Sequence, residues 1–197
     1  MLSINFDKKK LKYREDTGKL YFSYDDIASL PEWPESPLIE LSKGELFIVP
    51  SPTPRHQEIS GNLYFIIKSY LLKNTIGKIF TAPLDVLLSE LDVLVPDLLF
   101  VSDENSEIIK EKNIVGVPDM IVEILSSNAN RDKIDKKRIY QEFQVKEYLI
   151  IDPLNQIVLH HGLRTSGYEI QRFGIGDSLV FETVKGLEIQ LSELFNF

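Results

Sequence analysis

The chain has 197 residues, 43% of them apolar and 26% charged, with a formal net charge of −8. This is ordinary globular usage, and a chain of this length forms one domain that hides roughly 70% of its unfolded surface. Cysteine is absent, which excludes a disulfide framework and thiolate metal ligands; no run of about 18 apolar residues offers a membrane span; and the acidic balance argues against a general nucleic-acid binder.

Met1–Lys12 lacks an apolar stretch of signal-peptide length, so a cytoplasmic location without a membrane partner is expected. Residues 1–20 are polar and lysine-rich and read as an N-terminal arm, with one domain over 21–197. Ser23 and Asp26 have capping-box spacing before a short helix, Tyr24–Leu30. Pro31, Pro34 and Pro37 then mark an extended connection. Leu38–Leu41 and Glu45–Val49 are β-prone runs joined by Ser42-Lys43-Gly44, which reads as a hairpin. From about Arg55 to Lys73 the apolar positions Ile59, Leu63, Ile66, Ile67, Tyr70 and Leu71 recur at helical spacing. Three strands are expected next: Lys78–Ala82, Asp85–Leu88 and Leu94–Val101. A polar loop or short helix, Ser102–Lys112, leads to Met120–Leu125, apolar at every position but one and suited to a central strand buried on both faces. A second helix over Asn130–Phe143 and a strand over Lys146–Ile151 follow. Three further strands in Gln156–Leu187 and a short helix, Leu191–Phe195, end the chain. That order predicts an α/β or α+β fold, helices on a mixed sheet with an added N-terminal hairpin and C-terminal strands.

Glu123 is the one charge in the run Met120–Leu125. An unpaired carboxylate there costs several kcal/mol, so it must be protonated, ion-paired or bound to a metal. Asp97 follows Val95-Pro96 and precedes another apolar run. Two carboxylates on adjacent strands facing the same way repel unless a cation lies between them, and Mg²⁺ takes oxygen ligands, commonly one or two carboxylates with water and phosphate. Lys136 lies on the following helix, where Asp132, Lys136 and Tyr140 share a face at spacings of four. Its ammonium is placed to orient water or to neutralise charge on a phosphate. Each residue also has a purely structural explanation: a buried ion pair for Glu123, a turn after proline for Asp97, and a surface pair with Asp132 for Lys136. The segment Arg131–Arg138, RDKIDKKR, carries five basic and two acidic residues, and a solvated helix face is the ordinary reading of such a run.

The segments YDDIASLPE, IELSKGELFIVPSPTPRHQEISGNL, APLDVLL, VPDLLFVS, GVPDMIVEILS, RDKIDKKRIYQEF and KEYLIIDP, in that order, resemble the Uma2 family. That family, formerly a domain of unknown function, is assigned to the PD-(D/E)XK nuclease superfamily. The resemblance implies a restriction-endonuclease-like mixed sheet flanked by helices, with a metal held at its centre. Asp97 and Glu123 match the two acidic positions of the superfamily signature, but Leu125 stands where its lysine belongs. In Uma2-like sequences the lysine has moved to the next helix, where Lys136 matches and Lys137 is the neighbour it could be confused with. Glu45 in KGEL and His56 in PRHQEIS also match the family pattern. An exposed hairpin carboxylate and a helix-start polar residue are their plain readings. His160 and His161 read as structural.

The resemblance implies a Mg²⁺- or Mn²⁺-dependent endonuclease acting on phosphodiester bonds, with DNA as the partner. Asp97, Glu123 and the Ile124 backbone carbonyl are the implied metal ligands, and Lys136, Glu45 and His56 the implied helpers. The alternative is a catalytically inactive nuclease-fold protein that binds nucleic acid or a protein partner. A glycosidase carboxylate pair is the third reading, disfavoured because Trp33, the only tryptophan, lies far from both acids in sequence. A homodimer is expected only by analogy with related folds.

Overall fold

The computed structural model describes residues 12–15, 17–29, 38–126 and 135–196. Asp132 and the first half of the basic run, residues 131–134, lie outside the described residues, as does most of the proline-rich connection.

Within the expected arm, Lys12–Tyr13 (β1) and Leu20–Tyr21 (β2) pair antiparallel. Helix α1, Tyr24–Ala28, begins as its capping box requires: the Ser23 N–H donates to Asp26 Oδ2 at 2.8 Å. That bond, together with the Ser23 hydroxyl and the Lys12 ammonium, holds the Asp26 carboxyl down to about 2. The hairpin forms as expected, with β3 at Leu38–Ser42 and β4 at Glu45–Val49. Its two-residue turn, Lys43-Gly44, has φ of 49° and 75°, both positive, which matches the strand twist. A Cβ on Gly44 would sit 2.9 Å from Tyr21 Cβ, so the turn also needs glycine for space. Helix α2, Pro54–Leu71, starts at Thr53, whose hydroxyl accepts the His56 N–H at 3.2 Å, and Pro54 occupies a position where no N–H is missed.

Strand β5 is Gly77–Thr81 and β6 is Val86–Leu87. The expected single strand Leu94–Val101 is instead two: β7, Val93–Leu94, and β8, Leu98–Ser102. They belong to different sheets, and Val95-Pro96-Asp97 carries the chain between them. Pro96 has no N–H to give a ladder, so the break falls there. A 3₁₀ turn, Asp103–Ile108, and β9, Ile114–Val115, precede β10, Met120–Ile124. Helix α3 is Lys137–Glu142, and residues 130–134 of the expected helix lie outside the described residues. Strand β11 is Glu147–Asp152, β12 Ile157–Arg164 and β13 Gly167–Gly174. The C-terminal part adds β14, Ser178–Val180, and a fourth strand not foreseen, β15, Glu188–Gln190, before α4, Leu191–Leu194.

The main sheet has the order β13-β12-β11-β10-β8-β5, and a second has the order β4-β3-β7-β6-β9. In the main sheet β10 is parallel to β11 and antiparallel to β8, so the sheet is mixed. The parallel pair needs a crossover, and α3 supplies it. Alternation along the strands splits the core. Met120, Val122 and Ile124 pack with Leu98 and Phe100 against Ile59, Leu63 and Ile67 of α2. Ile121 and Leu125 pack on the other face with Leu99, Val101 and Ile139 of α3. Each of those α2 side chains is at most 1% exposed, worth about 1.5–3 kcal/mol of burial. Glu123 falls by parity on the α3 face.

Candidate active site

The β8–β10 register pairs Leu98 with Val122. Continued by one rung, it sets Asp97 against Glu123, on the face that α3 covers. Above them the hairpin β3–β4 and the N-terminal turn of α2 close a cavity of about 600 Å³. Glu40, His56, Asp97, Glu123, Ile124 and Lys136 all line it.

Two linked clusters occupy this cavity. In the first, Asp97 Oδ2 accepts the Ile124 N–H at 2.7 Å and lies 3.1 Å from His56 Nε2. An ionised carboxylate only accepts, so Nε2 of His56 carries the proton in this bond. The Asp97 side chain keeps 18% exposure, the most open of these acids. In the second, Glu123 Oε1 accepts from the Lys136 ammonium at 2.9 Å and from the Tyr140 hydroxyl at 2.7 Å. Lys136 Nζ also lies 3.0 Å from Glu40 Oε1. Glu40, Glu123 and Lys136 are 0%, 3% and 4% exposed, so their charges depend on one another rather than on water. Burial, and then the negative charge of Glu123, raise the Tyr140 phenol well above its usual range, which keeps it a donor. Its ring rests on Tyr148, with centroids 4.9 Å apart.

Asp97, Glu123, Lys136 and His56, named from sequence, converge on this cavity, and Ile124 lines it while using its N–H on Asp97. Lys136 is buried and lines the cavity, and Lys137 is half-buried at the start of α3 and absent from the lining. Glu45 is the exception. It is exposed, and it pairs with Ser42 at the turn end of the hairpin, outside the lining. Glu40, opposite Phe47, stands further along the same hairpin face and occupies the cavity instead. Sequence reasoning missed it, although a charge inside Leu38-Ile39-Glu40-Leu41 is the same signal that singled out Glu123.

Glu147, His160, His161 and Asp119 are also buried, but they lie outside the cavity lining and have partners of their own. Glu147 accepts from His160 Nε2 at 2.7 Å and from the Glu182 and Thr183 N–H groups at 2.9 Å each. His161 Nδ1 lies 3.1 Å from the Tyr148 carbonyl oxygen, and burial pulls its pKa down to about 4. Asp119 is pushed up by burial but held below the usual range by Lys146, the Ser102 N–H and Asn105.

The cavity donors are hard oxygens with one imidazole, which suits Mg²⁺ or Mn²⁺ and not a soft metal. Among the described residues no three His, Asp or Glu side chains are gathered closely enough to enclose a metal ion. Glu40, Asp97 and Glu123 are the cavity carboxylates that such a cation could use. Among the described residues no helix is long and apolar enough to cross a membrane.

Comparison with known proteins agrees with this architecture. A crystal structure of a "putative nuclease belonging to DUF820" from Anabaena variabilis superposes with a TM-score of 0.72 at 22% identity, covering 88% of this chain and 97% of that one. Identity this low speaks to the fold. No curated relative matches. Residues 24–192 match the model of the Uma2 family, described as "Putative restriction endonuclease". With the match running from α1 to the start of α4, the chain belongs to the Uma2 family.

Proposed function

We propose that this protein is a metal-dependent endonuclease of the PD-(D/E)XK type that hydrolyses phosphodiester bonds in DNA. The observation that carries the reading is that Asp97, Glu123 and Lys136 line a single cavity although they come from the connection before β8, from β10 and from the entry to α3. Asp97 and Glu123, with the Ile124 carbonyl, are the residues that would hold Mg²⁺ or Mn²⁺. Such a cation supplies Lewis-acid activation of water and stabilises charge on the phosphoryl oxygens.

The remaining work falls to the chain's own groups. The Ile124 N–H and His56 fix the Asp97 carboxylate, so its second oxygen faces a defined direction. Tyr140 and Lys136 do the same for Glu123. The Lys136 ammonium donates toward the attacking water or toward the phosphate as charge develops. His56, at the first turn of α2, would contact a substrate phosphate that entered the cavity. Counted as ionised, the carboxylates of Glu40, Asp97 and Glu123 outweigh Lys136 by two charges, which repels a phosphodiester unless a cation intervenes. Cleavage should therefore depend on added divalent metal.

The test is nicking of supercoiled plasmid in Mg²⁺ or Mn²⁺. Glu123→Gln and Lys136→Ala are each expected to lower the rate by about 10²–10³. Full activity in both variants would remove this assignment. A second reading, binding without cleavage, is favoured by one observation: the Lys136 ammonium is already engaged by two carboxylates. Tight DNA binding in Ca²⁺ with no nicking in Mg²⁺ or Mn²⁺ would select it.

A further inference from the structure

We infer that Glu40 is a positioning residue of this site: its carboxylate fixes both the Lys136 ammonium and the strand break that carries Asp97. The inference deepens the nuclease reading and rests on it for the catalytic consequence.

Glu40 lies in β3, in the second sheet, and is 0% exposed. One oxygen makes both contacts. Oε1 lies 3.0 Å from Lys136 Nζ and accepts the Val95 N–H at 3.0 Å. Val95 follows the last residue of β7 and precedes Pro96-Asp97. Its N–H is thus used at the point where the chain leaves one sheet for the other. The same oxygen holds the lysine that enters from the α3 side.

Stability gives a poor account of this glutamate. A buried ion pair is commonly no better than apolar residues of the same volume, and β3 is otherwise built from apolar residues there. Positioning gives a better one. A lysine stem has four rotatable bonds, and a single partner lets the ammonium swing about one oxygen. Glu123 and Glu40 come from different sheets, so together they define where Nζ points. Removal of the Glu40 charge leaves Glu123 and Tyr140 in place but frees the lysine, and loss of the oxygen as well would relax Val95.

Glu40→Gln tests this, because it keeps an acceptor for Val95 and removes the charge facing Lys136. Two readouts are taken on the full chain. The first is ¹⁵N NMR of lysine ammonium groups: the wild type is expected to give a slowly exchanging Lys136 signal that Lys136→Gln identifies by its loss. Glu40→Gln should broaden or remove that signal while the backbone amide spectrum is retained. The second is plasmid nicking in Mg²⁺, where kcat should fall about 10²-fold with KM unchanged. Glu40→Gln should also add no further loss in the Lys136→Gln background. If Glu40→Gln fails to fold, Glu40→Asp withdraws the charge by one methylene and should weaken the same signal. An unchanged Lys136 ammonium signal, or nicking as fast as wild type, overturns the inference. Absence of nicking in the wild type defeats the nuclease reading alone, and the NMR comparison still decides whether Glu40 positions Lys136.

Discussion

Lys136→Met is the most informative single perturbation of stability. Side-chain exposure is 5% for Lys136, 0% for Glu40 and 4% for Glu123, so solvent does little to screen this triad. Methionine fills much of the lysine volume but leaves two buried carboxylates facing each other. Removing one member of a buried ion pair costs about 3–5 kcal/mol. For a chain of this length each kcal/mol moves the melting temperature by about 2–4 °C, so a fall of about 6–20 °C is expected. The measurement is a thermal melt by circular dichroism in EDTA. Adding Glu40→Gln and Glu123→Gln to Lys136→Met should restore most of the loss, since no charge is then uncompensated. A melting temperature within about 2 °C of wild type for the single variant would show that the triad is not charge-coupled as its geometry implies.

Tyr140→Phe removes the 2.7 Å bond to Glu123 and keeps the ring against Tyr148; urea unfolding should show a loss of about 1–3 kcal/mol. Glu147→Gln should destabilise by a similar amount or more, and hydrogen exchange should quicken first at Glu182 and Thr183, whose N–H groups it holds. His161 is kept neutral in the fold, with its pKa lowered to about 4 against about 6.5 when unfolded. The unfolded chain takes up the proton first, so this contribution is present above pH 6.5 and is lost as pH falls from about 6.5 towards 4; in His161→Gln that part of the pH dependence of urea unfolding should flatten. Mg²⁺ or Mn²⁺ should raise the melting temperature of the wild type and not that of Asp97→Asn, and equal shifts would remove Asp97 from the metal-binding set.

Much of this arrangement was legible in the chain because single elements carried it. Helix α2 shows in its apolar spacing, β10 in its unbroken apolar run, and Glu123 in being the charge within that run. Asp97 was legible once proline was seen to end one segment and an apolar run to begin another. What escaped depends on partners distant in sequence. Leu94–Val101 reads as one strand locally, but β7 pairs with β3 and β6 while β8 pairs with β5 and β10, and only the assembled sheets reveal the division. The two hairpin glutamates differ in rung and not in face. Ser42 pairs with Glu45 and Glu40 with Phe47, so both glutamates point to the same side, but only Glu40 is far enough from the turn to reach the cavity. The local difference is that Glu40 interrupts an apolar run, and what that charge faces appears only once β7 and α3 are placed.

The passage of the chain from one sheet to the other at Pro96 makes the site draw on both sheets. Lys136 and Glu123 are 13 positions apart, His56 and Asp97 41, and Glu40 and Val95 55. The entropy of closing such loops rises slowly with their length, so the Glu40 contact carries the largest closure cost of the three by a small margin. A chain with the main sheet formed and the hairpin undocked has its acidic pair in place but a lysine held from one side. The doubly held lysine belongs to the completed fold, which makes the Glu40–Lys136 contact a reporter of finished folding.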